Sequence, residues 1–175
     1  GEPVVRLALR QAMKMMAEQF VLGRTIEEAV ARSRSSEQAG YRHSYDMLGE
    51  AAVTAADAQR YFDAYRHAIG TIGREANDAQ ASVFERPSIS VKLSALHPRY
   101  EYAQRERVFA ELLPIIAALA HEARAQRIGM TIDAEEAERL ELSLELFARL
   151  RSAANLADWH GLGLALQAYQ KRARA

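Results

Sequence analysis

The chain has 175 residues, of which 49% are hydrophobic and 26% charged, a composition typical of a globular domain. Its 23 basic residues balance its 23 acidic residues, so no nucleic-acid partner is expected for this segment. It contains no cysteine, which excludes disulfides, thiolate metal sites and cysteine nucleophiles. No apolar run approaches the ~20 residues of a membrane span and no signal peptide is visible, so a cytoplasmic location is the expectation.

Two helices are predicted at the start of the chain. Apolar residues recur at helical spacing from Leu7 to Phe20. Thr25 and Glu28 have the form of a capping box, which predicts a second helix over 26–39. Gly40 then stands where a helix-terminating glycine is expected.

The remaining chain alternates strands with helices. The predicted strands cover 41–48, 89–93, 130–132 and 162–167, and the predicted helices begin at Thr54, near Gln104 and at Ala134. Pro114 lies inside the second of these helices and should kink or split it. Successive strands start roughly 35–45 residues apart, which is typical of βαβ units in a parallel sheet.

Two kinds of parallel sheet satisfy this order, an open doubly wound sheet and a (β/α)8 barrel of the TIM type. No Gly-x-Gly-x-x-Gly follows a strand and no Gly-x-x-x-x-Gly-Lys-Ser/Thr occurs, so the nucleotide-binding signatures of open sheets are missing. A complete barrel needs about 250 residues, so four strands would form about its first half.

Lys92 is the first candidate site residue, because the functional face of a parallel barrel lies at the carboxyl ends of its strands. It follows the apolar run Ile89-Ser90-Val91. A lysine in a buried strand is costly unless it pairs with an anion or lies beside a cavity. The alternative is a side chain that reaches outward to solvent.

Asp133 and Gln167 end the third and fourth predicted strands. Asp133 and Glu136 have the form of a helix cap, a role that can coexist with a position at the barrel mouth. The Gln167 amide can donate and accept, which suits a heterocycle edge, a ribityl chain or a neighbouring loop. His97 lies near Lys92, but the five histidines show no zinc-type spacing, so no metal is expected.

Five segments, in order along nearly the whole chain, carry a family resemblance. They are Gln19-Phe20-Val21, Ser44-Tyr45-Asp46-Met47-Leu48-Gly49-Glu50, Lys92-Leu93-Ser94-Ala95-Leu96-His97-Pro98-Arg99-Tyr100, Ile132-Asp133-Ala134-Glu135-Glu136-Ala137 and Gln167-Ala168-Tyr169-Gln170-Lys171-Arg172. Together they resemble the proline dehydrogenase domain of the bifunctional flavoenzyme proline utilization A.

This resemblance implies a distorted (β/α)8 barrel that holds FAD at the carboxyl ends of its strands. Leading helices would occupy 1–40, and 41–175 would form the first half of the barrel. The implied reaction oxidises L-proline to Δ1-pyrroline-5-carboxylate, with a hydride passing from C5 to flavin N5. Electrons would then pass to a membrane quinone, with the parent enzyme peripheral at the membrane. NAD would serve only a separate aldehyde dehydrogenase domain.

The resemblance also implies residue roles. Lys92 matches the lysine that pairs with the substrate carboxylate, and Asp133 matches a strand-end aspartate of the active-site group. Ala134 would lie beside the flavin, and Gln167 matches a flavin-binding glutamine. No metal is required.

Two family elements fall outside the matching segments. The flavin-contacting motif Arg-Leu-Val-Lys-Gly-Ala-Tyr and the paired arginines of the carboxylate clamp do not occur in these residues. We therefore expect the 175-residue chain alone to be inactive. The alternative is a non-catalytic half-barrel that binds no flavin.

Overall fold

The computed structural model describes residues 2–76, 81–152 and 156–174. The chain divides into two compact units, Gly1–Arg42 and His43–Ala175.

The first unit consists of two helices, α1 (Glu2–Phe20) and α2 (Ile26–Gln38). The Thr25 hydroxyl accepts a hydrogen bond from the Glu28 backbone N–H at 3.3 Å, so the predicted cap of α2 is confirmed. Gly40, with φ of +93°, follows the end of α2 in a conformation that favours glycine.

The second unit alternates strands with helices. Its elements are β1 (Ser44–Asp46), α3 (Ala55–Glu75), β2 (Ser88–Val91), α4 (Leu93–Leu96), α5 (Arg105–Ala125), β3 (Gly129–Ile132), α6 (Leu140–Ser152) and β4 (Leu162–Leu164), with 3₁₀ turns at Tyr102–Gln104, Ala137–Arg139 and Lys171–Arg174. The strands are parallel and adjacent in the order β1-β2-β3-β4. The strand order in the sheet follows the chain order without reversing. The described sheet therefore lacks the switch point of a doubly wound fold and has the strand order of the first half of a barrel.

The two faces of this sheet differ in composition. One row of register partners, from Tyr45 through Ile89 and Met130 to Leu162, is buried. Side chains alternate between faces along a strand, so the neighbouring row points the other way. That row contains small or polar residues, among them Ser90, Thr131 and Gly163, and it lies on the inner face of the sheet, the face that would line the interior of a closed barrel.

The strands are shorter than the sequence predicted. β1 covers three residues of the predicted 41–48, and β4 ends at Leu164 rather than at Gln167. β2 ends at Val91, and Leu93–Leu96 forms one helical turn, α4, where strand and turn were predicted. Lys92 therefore lies just beyond its strand rather than within it.

Pro114 was predicted to kink or split its helix, and the second of these outcomes, the split, is wrong. α5 runs unbroken from Arg105 to Ala125. A proline removes one hydrogen bond to the carbonyl four residues earlier, here that of Ala110. Both Pro114 and Ala110 are exposed, so water can satisfy that carbonyl.

The cap of α3 provides a test of these local assignments. The Thr54 hydroxyl accepts from Asp57 N–H at 3.1 Å, and the Asp57 carboxylate accepts from Thr54 N–H at 2.9 Å. We expect Thr54→Ala to lower the free energy of unfolding by about 1 kcal/mol, measured by urea denaturation of the protein that contains this chain. Thr54→Ser keeps the oxygen and should retain most of the stability. Equal losses in both variants would show that the methyl group, not the cap, matters.

Candidate functional site

Three charged side chains meet at the carboxyl end of the sheet. Lys92 Nζ lies 2.5 Å from Asp46 Oδ1 and 3.1 Å from Asp133 Oδ2. The sheet register produces this arrangement, because Val91 is opposite Ile132 and the next residues are Lys92 and Asp133. Asp46 is opposite Ser90, on the same face of the sheet as Lys92.

Lys92 is charged despite its burial. Its side chain is 13% exposed, whereas those of Asp46 and Asp133 are 50% and 27% exposed. Burial alone would lower the pKa of Lys92, but the hydrogen bonds to Asp46 and Asp133 outweigh it and raise that pKa above the ordinary lysine value. The ammonium is therefore protonated at neutral pH.

Tyr65 holds the backbone of Lys92 in place. The Lys92 N–H lies past the end of β2 and donates to the Tyr65 hydroxyl at 3.1 Å. Tyr65 comes from α3 and is fully buried. Burial raises the pKa of Tyr65 to about 12, so its phenol stays neutral. Its bond to Lys92 fixes the strand end against the helix.

Asp133 does not cap the helix that follows it. Residues 133–136 are not helical, and Glu136 precedes the 3₁₀ turn without a side-chain capping bond. Both the predicted cap and the predicted helix start at Ala134 are therefore wrong. Asp133 Oδ1 instead accepts from Ala134 N–H at 2.9 Å, and Oδ2 faces Lys92.

Ala134 and Gln167 line a shallow depression beside Asp133. Gln167 lies three residues beyond β4, and its Oε1 accepts a hydrogen bond from Gln170 Nε2 at 2.5 Å. Lys92 does not line the depression. Asp133 is thus the residue shared by the charged cluster and the depression.

Asp46 is a site residue that the sequence analysis did not single out as a candidate. Two signals could have found it: Asp46 follows the apolar Tyr45, and it is the last residue of β1, at the strand end where parallel barrels carry functional residues. Its partner is 46 positions away in sequence, so only the register of the sheet reveals the pair.

His97 has a structural environment. It is 3% exposed, its Nδ1 accepts from Arg99 N–H at 3.1 Å, and its Nε2 lies 3.1 Å from Glu111 Oε2. Nδ1 is an acceptor, so the proton is on Nε2 and is donated to Glu111. Across residues 2–76, 81–152 and 156–174, no group of three His, Asp or Glu side chains could hold a metal ion.

The fold and the site define a class of protein, an α/β barrel-type enzyme domain with a charged pocket at its strand ends. A family model described as "Proline dehydrogenase" matches residues 29–175. The chain belongs to the proline dehydrogenase family, an oxidoreductase family, as the sequence resemblance predicted.

Several proteins are similar to this chain in sequence. The chain is 54% identical over 172 residues to "Bifunctional protein PutA" of Klebsiella aerogenes and 53% identical to that of Escherichia coli. In both cases the alignment covers 98% of this chain and 13% of the relative, so the chain spans about an eighth of their length.

Solved structures share the fold. A variant of proline utilization A from Bradyrhizobium japonicum matches with a TM-score of 0.82 and 54% identity, over 99% of this chain and 17% of that one. The proline utilization A of Bdellovibrio bacteriovorus matches with a TM-score of 0.86 at 21% identity, over 94% of this chain and 18% of that one, a likeness of fold alone. These neighbours confirm the predicted barrel-type fold class.

None of the helices in the described part of the chain is both long and apolar enough to span a bilayer.

The ion pairs of Lys92 provide a pH-dependent test. Because folding raises the Lys92 pKa, the stabilisation from its pairing is fully present below the pKa of an unfolded lysine. It is lost as pH rises through the higher folded pKa. We expect Asp46→Asn to lower the Lys92 pKa, measured by the pH dependence of trace acetylation at Lys92. The exposed Asp63→Asn serves as control, and an unchanged Lys92 pKa in Asp46→Asn would contradict the assigned pair.

Proposed function

We propose that the protein containing this chain oxidises L-proline to Δ1-pyrroline-5-carboxylate, with FAD as the oxidant. Proline loses a hydride from C5 and a proton from nitrogen, and a C5=N double bond forms. FAD would supply the two-electron oxidation when bound, and a quinone would be the final electron acceptor. The family membership and the charged cluster around Lys92 support this proposal.

Lys92 carries the proposal. An ammonium has three N–H donors, and among the described residues two of them face Asp46 and Asp133. The third can donate to a substrate carboxylate. A half-buried strand end strengthens such a charged hydrogen bond relative to water.

The charges of the cluster favour a zwitterion as substrate. One ammonium and two carboxylates leave the cluster with a net charge of −1, which repels a simple anion. An amino acid presents its carboxylate to Lys92 and its cationic amine to Asp46 and Asp133. The paired arginines that the family resemblance places beyond these residues would contribute further cationic contacts to the substrate carboxylate.

We assign the depression that Asp133 lines to one edge of the flavin site. The depression is open to solvent on one side. The Gln167 amide oxygen accepts from Gln170, which leaves the Gln167 amide N–H groups to donate to a ligand. On the inner face of the sheet, Gly163 packs closely on Thr131, since a Cβ there would lie 3.0 Å from Thr131 Oγ1. Ala134 and Gln167 would hold FAD there, and bound FAD would supply the two-electron chemistry.

Asp133 would then lie between cofactor and substrate. It keeps the Lys92 ammonium oriented and positions the substrate amine beside the flavin. We place the enzyme in the cytoplasm, peripheral at the membrane where it reduces quinone. NAD would serve only a separate aldehyde dehydrogenase domain.

Lys92→Ala tests the substrate role. In the full-length protein we expect KM for L-proline to rise by about two orders of magnitude, because a buried charged hydrogen bond is lost. FAD should remain bound, as read from the flavin absorbance after gel filtration. Lys14→Ala, in α1, is the matched control and should leave KM unchanged. An unchanged KM in Lys92→Ala would remove this residue from the substrate site.

Gln167→Leu tests the flavin role. The leucine keeps similar volume but cannot donate to FAD, so we expect weaker flavin retention and a KM for L-proline that changes less than in Lys92→Ala. The readout is the Kd for FAD, from fluorescence quenching of the flavin on titration of apoprotein. The exposed Gln59→Leu, on α3, controls for loss of a surface amide. Full flavin retention in Gln167→Leu would exclude the residue from the cofactor site.

A further inference from the structure

A buried side-chain pair lies next to the charged cluster but outside it. Ser94, in α4, is 4% exposed, and the Glu135 side chain is 7% exposed. Ser94 N–H donates to Glu135 Oε2 at 3.1 Å, and the Ser94 hydroxyl donates to Glu135 Oε1. Both carboxylate oxygens therefore accept hydrogen bonds from the same residue.

Ser94 also holds the loop that follows β1. Its hydroxyl oxygen accepts from Ala51 N–H at 3.2 Å, and its carbonyl accepts from Ala52 N–H at 2.8 Å. Ala51 has a φ of +56°, a strained conformation for a residue with a side chain. The bonds to Ser94 offset this strain and fix the loop.

The three segments joined at Ser94 are those that carry the charged residues. Ser94 comes two residues after Lys92, and Glu135 comes two residues after Asp133. The loop residues Ala51 and Ala52 come five and six residues after Asp46. None of the bonds at Ser94 is between sequence neighbours, since they span 41 to 43 positions. A single hydroxyl and a single carboxylate thus connect the ends of β1, β2 and β3.

Keeping Glu135 in this position has a cost. Burial raises the pKa of Glu135 above its usual value, and the two donors of Ser94 only partly oppose that effect. The Arg139 guanidinium is 3.8 Å away, too far for a close ion pair. Folding therefore favours the protonated carboxyl, and its ionisation costs stability as pH rises through the raised pKa. A contribution to folding stability therefore does not explain why the Glu135 carboxylate is buried.

We infer that Ser94 and Glu135 are positioning residues that set the geometry of Asp46, Lys92 and Asp133 by tying together the three strand ends that carry them. The inference rests on the proposed function only for its kinetic readout. Ser94 and Glu135 do not touch the Lys92 ammonium, and they act through the backbone on either side of it.

The experiment compares Ser94→Ala and Glu135→Gln in the full-length protein. The first removes the hydroxyl, and the second replaces one of the two acceptor oxygens that face Ser94 with an NH2 donor. We expect acetylation of Lys92 by acetic anhydride, measured by peptide mass spectrometry relative to Lys171, to rise at least about threefold in each variant, because looser pairing exposes the amine. We expect KM for L-proline to rise about tenfold while kcat changes less than threefold. The double variant should match the single ones, since both changes break one cluster.

Matched controls separate positioning from folding. Ser33→Ala also removes a buried hydroxyl, in α2 of the other unit, and Glu138→Gln removes an exposed carboxylate near Glu135. Both should leave Lys92 acetylation and KM unchanged. Glu135→Gln should retain the melting temperature of the parent at neutral pH, because it removes the buried charge.

Each result has a distinct meaning. Unchanged Lys92 acetylation in both Ser94→Ala and Glu135→Gln overturns the inference, whatever the activity. If the parent protein does not oxidise proline at all, the proposed function fails, while the acetylation result still decides the inference.

Discussion

The site depends on one physical constraint. Burial removes most of the water around the Lys92 ammonium, so the ammonium needs carboxylates as hydrogen-bond partners in place of that water. Desolvation alone would lower its pKa and favour a neutral amine. Parallel strands end at the same edge of the sheet, so the ends of β1 and β3 bring Asp46 and Asp133 to either side of the lysine that follows β2. This arrangement depends on the register of the strands, on their order and on the small residues of the inner face.

Local features of the fold were predictable because their causes lie within a few residues. The caps at Thr25 and Thr54 and the glycine at Gly40 each follow from chemistry of adjacent positions, and the structure has all three. Strand ends were less predictable, because they are set by where the neighbouring strand stops pairing. Pro114 shows the same limit: whether water can reach the carbonyl that a proline leaves without its hydrogen bond is a property of the folded chain.

The candidate site was predictable in part for the same reason. Lys92 and Asp133 are polar residues at the ends of apolar runs, a signal visible in the sequence itself. Asp46 and Glu135 have partners 46 and 41 positions away, so the local sequence does not show what they pair with. The roles of Ala134 and Gln167 came from the family resemblance and remain predictions. Their positions around one depression beside Asp133 are compatible with those roles.

Three acids near one lysine would compete for it if they were equivalent, and the structure keeps them apart by giving them different donors. Asp46 and Asp133 accept from the Lys92 ammonium, whereas Glu135 accepts from the neutral donors of Ser94. A neutral donor orients a carboxylate without cancelling its charge. Glu135 can therefore fix the strand ends while leaving the lysine to the aspartates and to a substrate. That division explains why a carboxylate whose ionisation is unfavourable is placed two residues from Asp133 rather than replaced by an apolar side chain.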